Sequence, residues 1–291
     1  MLNVSVESIV RIFIALAVVA LLVRVFEPRF AFFPSTGETV TPREFGVEYE
    51  AFAVTARDGQ RLQAWALRHP APRALVVYFH GNGGNLSVWA PILAGIARQG
   101  YSVLAFDYRG YGRSTGRPTE AGLYRDVDAV VEHFWGSPRP AVPVVYWGRS
   151  LGVAMAAYAA TVRAPDGLIL ESGFPNVWSL VRAAPPLAVL VPFSSYRFPS
   201  VAFLRRVAVP ALVMHGDDDH VIPIARGREL FGQIAGPKQF VTIRRGDHND
   251  LAPPDPRSYW EALSGFMTSL STRADPASHA APAFVESGGR T

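Results

Sequence analysis

The chain has 291 residues, and 28 Lys and Arg against 24 Asp and Glu leave a formal net charge of +4 with no basic block, so nothing points to nucleic acid. Hydrophobic residues are 49% and charged ones 18%, which is rich for a soluble protein and suggests a membrane segment beside one large domain. There is no cysteine, hence no disulfide, thiolate metal site or cysteine nucleophile, and no motif asks for a metal or cofactor.

Residues 12–23 form an uninterrupted apolar run, and 9–26 extends it with Arg11 and Arg24 inside the ends. About 18 residues at about 1.5 Å each reach about 27 Å, near the lower limit for crossing a bilayer. Both arginines are placed to snorkel to the headgroups. A cleaved signal peptide is the rival reading, but Phe26-Glu27-Pro28-Arg29-Phe30 is bulky and offers no small-x-small site. Residues 1–28 are therefore expected to be an uncleaved, single-pass N-terminal anchor. Arg24, Arg29 and Arg43 after the span, against Arg11 at its start, lean toward a cytoplasmic domain and leave the side of the membrane open. Phe30-Ala31-Phe32-Phe33-Pro34 suits a membrane interface or docking on the domain.

Residues 47–56 alternate as a strand, Asp58-Gly59 signals a turn, and 61–68 is the return strand of a hairpin. Residues 74–79 read as the first fully buried strand, which runs into His80-Gly81-Asn82-Gly83-Gly84-Asn85 and a helix over 87–98. A strand at 102–106 leads into Asp107-Tyr108-Arg109-Gly110-Tyr111 and a helix over 119–135. The β-branched and aromatic run 142–147 precedes Gly148-Arg149-Ser150-Leu151-Gly152 and an Ala-rich helix, and 167–171 is the next strand. This rhythm predicts an α/β fold: right-handed βαβ units, a mainly parallel twisted sheet, helices on both faces and the antiparallel hairpin at one edge.

Residues 176–207 break the rhythm with Trp178, Pro185-Pro186, Pro192, Phe193, Tyr196 and Phe198, and read as a short apolar cap rather than a core element. A strand at 211–214 is followed by His215-Gly216-Asp217-Asp218-Asp219-His220, a helix to about 234, a last strand at 239–243, Gly246-Asp247-His248-Asn249-Asp250 and a helix over 256–270. The Ala/Pro/Ser/Gly tail, 271–291, reads as disordered. The single domain spans 29–270.

Strand, tight turn with flanking glycines, helix: this context makes Ser150 a candidate nucleophile. Such a turn lifts the hydroxyl above the sheet edge, and Gly148 and Gly152 leave room for the strained backbone. It also aims the Leu151 amide at a developing oxyanion. The glycines after His80 are not a nucleotide cradle, because neither a dinucleotide fingerprint nor a Gly-Lys-Ser/Thr ending is present.

Together these motifs resemble the α/β-hydrolase superfamily, in its membrane-anchored serine hydrolase branch near the serine-aminopeptidase-like and protein-depalmitoylase hydrolases. The resemblance covers about residues 30–270 and implies a Ser-His-Asp triad. The base must then follow the last strand, which selects His248 among the seven histidines. His80 and His215, at strand ends, read as structural. Family spacing after His215-Gly216 selects Asp219, leaving Asp217 and Asp218 as solvated turn residues. The residue after His-Gly in such enzymes supplies the second oxyanion amide, here Asn82. Asp107, Arg109 and Tyr111 are expected to brace the loop, and Arg149 to sit in a salt bridge or touch an anionic substrate. Trp178, Leu187, Val191 and Phe193 are expected to line the acyl side as substrate-binding residues. The implied function is cofactor-free serine hydrolysis of carboxylic esters or thioesters on lipid-like or acylated substrates. Alternatives are a serine peptidase and a non-catalytic membrane-tethered binding protein on the same fold.

Overall fold

The computed structural model describes residues 5–136, 140–181 and 191–271. In chain order the elements are α1 (Val6–Ala31), β1 (Phe33–Pro34), β2 (Glu50–Thr55), β3 (Arg61–Leu67), β4 (Leu75–Phe79), β5 (Gly83–Gly84), α2 (Leu86–Arg98), β6 (Ser102–Phe106), α3 (Glu120–Trp135), β7 (Val144–Arg149), α4 (Leu151–Val162), β8 (Gly167–Glu171), α5 (Val177–Val181), α6 (Ser200–Leu204), β9 (Ala211–Gly216), α7 (Ile224–Gly232), β10 (Lys238–Ile243) and α8 (Pro256–Ser271). They build an 8-stranded sheet in the order β10-β9-β8-β7-β4-β6-β3-β2, and β1 pairs with β5 outside it. Pairs from β10 to β6 are parallel, and β2–β3 and β3–β6 are antiparallel. The hairpin therefore forms one edge of an otherwise parallel α/β sheet, in agreement with the sequence.

The continuous apolar runs are explained by burial on both faces. Leu75, Val77 and Phe79 of β4 join Tyr146, Leu170 and Val213 against α3 and α4, while Val76 and Tyr78 join Trp147, Ile169 and Met214 against α2 and α8. Successive strand side chains point to opposite faces, so one run feeds two cores.

Two segments differ from expectation. The N-terminal helix does not end with its apolar run or at residue 28 but continues to Ala31, with Pro28 inside it and no buried residue along its length. The Glu27 carboxylate accepts hydrogen bonds from Ser194 and Ser195 and from Tyr196 N–H, which holds the last turn in place. The expected cap, 176–207, is only partly a cap. Tyr196, Phe198, Leu204 and Val207 belong to the core cluster around α4. Glu120 accepts both Arg197 N–H and Phe198 N–H, and the Phe203 ring lies 5.7 Å from Tyr124 and 5.3 Å from Tyr158. A proline-broken segment still has to bury its apolar side chains, and the nearest apolar surface is α3 and α4. Residues 182–190 and the tail 272–291 lie outside the described residues.

Beneath the loop after β6, Arg109 donates its backbone N–H, Nε and a terminal nitrogen to Asp126 at 2.9, 2.9 and 2.7 Å and reaches Asp58 at 2.8 Å. Burial pushes the Asp126 carboxyl up to about 6 against the opposing pull of the guanidinium. Arg109→Met strands a buried carboxylate and is expected to lose about 3–5 kcal/mol of stability, read by urea unfolding, with part recovered in Arg109→Met/Asp126→Asn. Equal stability of Arg109→Met and wild type would remove the pair from the fold's support.

Candidate active site

Ser150 stands between β7 and α4 with φ 54° and ψ −118°, a conformation that costs a non-glycine residue about 1–3 kcal/mol and persists only where the surroundings impose it. The surroundings are tight. A Cβ on Gly148 would lie 2.2 Å from the Gly152 carbonyl oxygen, and one on Gly152 would lie 1.9 Å from the Phe79 carbonyl oxygen. Both glycines are thus required for α4 to start directly over the ends of β7 and β4. Ser150 N–H donates to the Glu171 carbonyl at 2.9 Å. Leu151 is the first helical residue, so its N–H has no carbonyl four residues back.

His248 Nε2 lies 3.0 Å from Ser150 Oγ, and His248 Nδ1 lies 2.8 Å from Asp219 Oδ2. The other Asp219 oxygen accepts Val221 N–H at 3.0 Å and Ile222 N–H at 2.6 Å, and His215 Nε2 is 3.3 Å from Oδ2. Burial raises the Asp219 carboxyl, but the hydrogen bonds from His215 and His248 outweigh it and hold the group well below the usual carboxylate range. A permanently charged carboxylate at Nδ1 keeps the proton there and leaves Nε2 as the acceptor facing the hydroxyl. Asp217 instead accepts Arg245 N–H, and Asp218 is exposed. The run of three aspartates is resolved by which carboxylate the imidazole meets.

The loop after β4 closes the other side. Asn82 Nδ2 donates to the Ala31 carbonyl at 2.8 Å, and the Tyr111 hydroxyl donates to Asn82 O at 2.9 Å and Oδ1 at 3.0 Å. The Asn82 N–H meets no backbone acceptor among the described residues. A Cβ on Gly81 would lie 3.5 Å from Ser150 Cβ, so the loop and the serine are neighbours. Below, burial pushes His80 down to about 4 and Asp107 up to about 8, and Asp107 also accepts Leu86 N–H at the start of α2. His80, Asp107 and Tyr111 thus pack or brace the loop, while Arg109 acts one layer deeper. Leu151 N–H at the start of α4 and Asn82 N–H in the neighbouring loop are thus both without a backbone acceptor among the described residues, and such amides are the kind of donor a tetrahedral oxyanion needs.

Arg149 carries more than a salt bridge. Its guanidinium donates to the carbonyls of His248 and Asp250 at 3.0 and 2.5 Å and lies 3.4 Å from Glu171. Glu171 in turn accepts from Trp147 Nε1 and the Tyr259 hydroxyl. The residue beside the serine therefore staples the histidine loop to the sheet. Its signal in the sequence is a cation ending an apolar buried strand, a position that demands partners. Of the expected acyl wall, Trp178 on α5 is 44% exposed, Val191 is buried and Phe193 is half-buried on a 3₁₀ turn packed against α1. Leu187 lies outside the described residues.

A family model described as serine aminopeptidase, S33, matches residues 70–205, a span that takes in the Asn82 loop and Ser150 and stops short of Asp219 and His248. An uncharacterized protein of Mycobacterium tuberculosis is 33% identical over 245 residues, covering 82% of this chain and 86% of its own. An uncharacterized membrane protein of Saccharomyces cerevisiae is 30% identical over 235 residues, covering 78% of this chain and 82% of its own. Among solved structures, the Pyrococcus furiosus esterase Pf2001 superposes with a TM-score of 0.65 at 19% identity, covering 82% of this chain and 98% of its own.

Asp219→Asn donates where the imidazole needs an acceptor and mis-sets its tautomer. The expected loss in kcat on p-nitrophenyl acetate is on the order of 10⁴, by the serine-protease precedent. Asp218→Asn leaves turnover near wild type. A damaging Asp218→Asn beside an active Asp219→Asn would reverse the assignment.

Proposed function

We propose a function from one premise: the chain belongs to the α/β-hydrolase superfamily, in its S33 serine-aminopeptidase-like family, and is a hydrolase. On our reading it is a membrane-anchored serine hydrolase that cleaves carboxylic esters or thioesters of lipid-like or acylated substrates. The observation that carries this is the bonded series Asp219–His248–Ser150 ending on a strained serine beside two amides.

His248 Nε2 takes the Ser150 proton as Oγ attacks the substrate carbonyl carbon. The oxyanion settles on the N–H groups of Leu151 and Asn82. Asp219 stabilises the imidazolium, which returns its proton to the departing alkoxide or thiolate. Water, deprotonated by the same nitrogen, attacks the acyl-enzyme and releases the acid and Ser150. Arg149 keeps the histidine loop within reach throughout. No cofactor enters any step.

The membrane part of the reading is supported by α1, long and apolar enough to cross a bilayer, and by the yeast relative's designation as a membrane protein. Its last turn is bonded into the domain through Glu27 and Ala31, which favours a retained anchor over a cleaved leader. The family description favours one rival, an aminopeptidase. That activity needs a free carboxylate for the substrate amine, whereas Asp219 and Glu171 beside Ser150 are both committed to protein partners. Amino-acid p-nitroanilides tested beside p-nitrophenyl esters separate the two.

Ser150→Ala is expected to abolish ester hydrolysis and fluorophosphonate labelling with unfolding unchanged. Near-wild-type turnover in this variant would sink the nucleophile, and an unlabelled wild type would favour the non-catalytic reading. Of the expected acyl wall, the described residues Trp178, Val191 and Phe193 are the ones to test. A methylene is worth roughly 0.8 kcal/mol on burial, so a few of them shift kcat/KM along an ester series by about one to two powers of ten. Trp178→Ala and Phe193→Ala are expected to flatten that chain-length profile more than they lower acetate turnover. Uniform loss across the series would mean the segment is a structural lid.

A further inference from the structure

The end of α1 is bonded on one side to residues 194–196 of the segment after α5 and on the other to the Asn82 loop beside Ser150. On one side the Glu27 carboxylate accepts from the hydroxyls of Ser194 and Ser195 and from the N–H groups of Ser195 and Tyr196. Next to it, Phe32 is buried with its ring 5.3 Å from Tyr196 and 6.2 Å from Phe198. On the other side the Ala31 carbonyl accepts from Asn82 Nδ2 at 2.8 Å, and Phe33 and Pro34 pair with Gly83 and Gly84 in the loop that carries Asn82. Beyond the pairing, Ser35 N–H donates to the Gly84 carbonyl, and Asn85 Nδ2 donates to the carbonyls of Ser35 and Gly37. No slack chain separates the helix from the domain.

Distance along the helix then sets the height of the site. The apolar run ends at Val23, and Ala31 lies eight residues on, about 12 Å at the helical rise. One headgroup layer is roughly 5–7 Å thick. The residues that cross that layer and emerge just above it are chemically suited to an interface: Arg24 and Phe26, then Arg29, and then Phe30 and Phe33 at 75% and 60% exposure. Exposed aromatics and cations just past an apolar span are interfacial anchors. Phe33 itself pairs with Gly83, so the rim of the Asn82 loop lies at the same level.

We propose that residues 27–34 are a rigid mount that holds the mouth of the Ser150 site against the leaflet surface where α1 ends, so that the substrate is an acyl amphiphile resident in that leaflet rather than a freely diffusing ester. The proposal rests on the serine-hydrolase reading and on α1 spanning a bilayer. A flexible tether leaves a domain free to tumble, whereas this mount fixes both height and facing. Its energetic logic is preorganisation: the cost of orienting the site toward an interfacial ester is met in the fold, not at each encounter.

The test uses the full chain reconstituted in phospholipid vesicles. One variant carries a 12-residue Gly/Ser insertion between Arg24 and Val25, and a second carries an 11-residue polar helical insertion at the same point, which lifts the site by about 16 Å with nearly unchanged helical phase. Both leave 25–34 intact. Turnover is read on water-soluble p-nitrophenyl acetate and on a long-chain acyl ester of a fluorogenic alcohol embedded in the same vesicles. The expected result is unchanged acetate turnover and at least a tenfold fall on the embedded ester in both variants. Embedded-ester turnover that stays at the wild-type level overturns the proposal. Equal loss on both esters also overturns it, since the segment then shapes the site without presenting it to the leaflet. Failure of the hydrolase reading looks different: wild-type protein is then inert on acetate as well.

Discussion

The passage of α4 over the ends of β7 and β4 is the constraint on which the rest of the site depends. There is no space at Gly148 or Gly152 for a methyl group, and the backbone at Ser150 is forced to positive φ. That strain puts the hydroxyl above the sheet edge and the first helical amide beside it. It is stable because the sheet is locked from both faces by clusters drawn from alternate residues of the same strands. Loosening either face would let the turn relax, and the serine would fall back toward the sheet.

Around this rigid point the fold spends buried charge where geometry matters. Asp219 is kept ionised by two imidazoles and two backbone amides, Arg149 is held by Glu171 and two loop carbonyls, and Arg109 by two aspartates. Buried ion pairs contribute little net stability compared with apolar packing. What they provide is direction, since a guanidinium bonded to the carbonyls of His248 and Asp250 fixes a surface loop that apolar contacts alone would leave free to slide. The two exchanged roles are clear in the pair His80 and Asp107, where burial favours the neutral forms and the groups serve packing and a helix N-terminus instead.

The N-terminal helix changes how the domain is to be regarded. Its exposed body shares no core with the sheet, yet its last turn and the strand after it bond to the Asn82 loop beside Ser150 and to residues 194–196. Whatever orients the helix also orients the serine. The helix is long and apolar enough to cross a membrane, and on the proposed reading the short connection passes its orientation on to the site.

Periodicity and turn chemistry in the sequence alone determined the α/β class, the edge hairpin, the elbow at Ser150 and the apolar span. These are local properties: alternation, a β-branched run followed by Gly-x-Ser-x-Gly, and an uncharged stretch each leave a mark within a few residues. The order of Ser150, Asp219 and His248 along the chain was legible for a different reason, because each follows a strand and parallel strands bring their carboxyl ends to one edge. Asp217, Asp218 and Asp219 are locally equivalent carboxylates; the family resemblance selected Asp219, and a loop about thirty residues later folds back to put the imidazole against that one. Two things were decided only by the tertiary structure. The second half of 176–207 became core because α3 and α4 offered apolar surface that composition cannot locate. The role of 27–34 was hidden because its partners, Asn82 and Ser194 to Tyr196, lie far along the chain, and hydrogen bonds between distant segments leave no periodic trace in either of them.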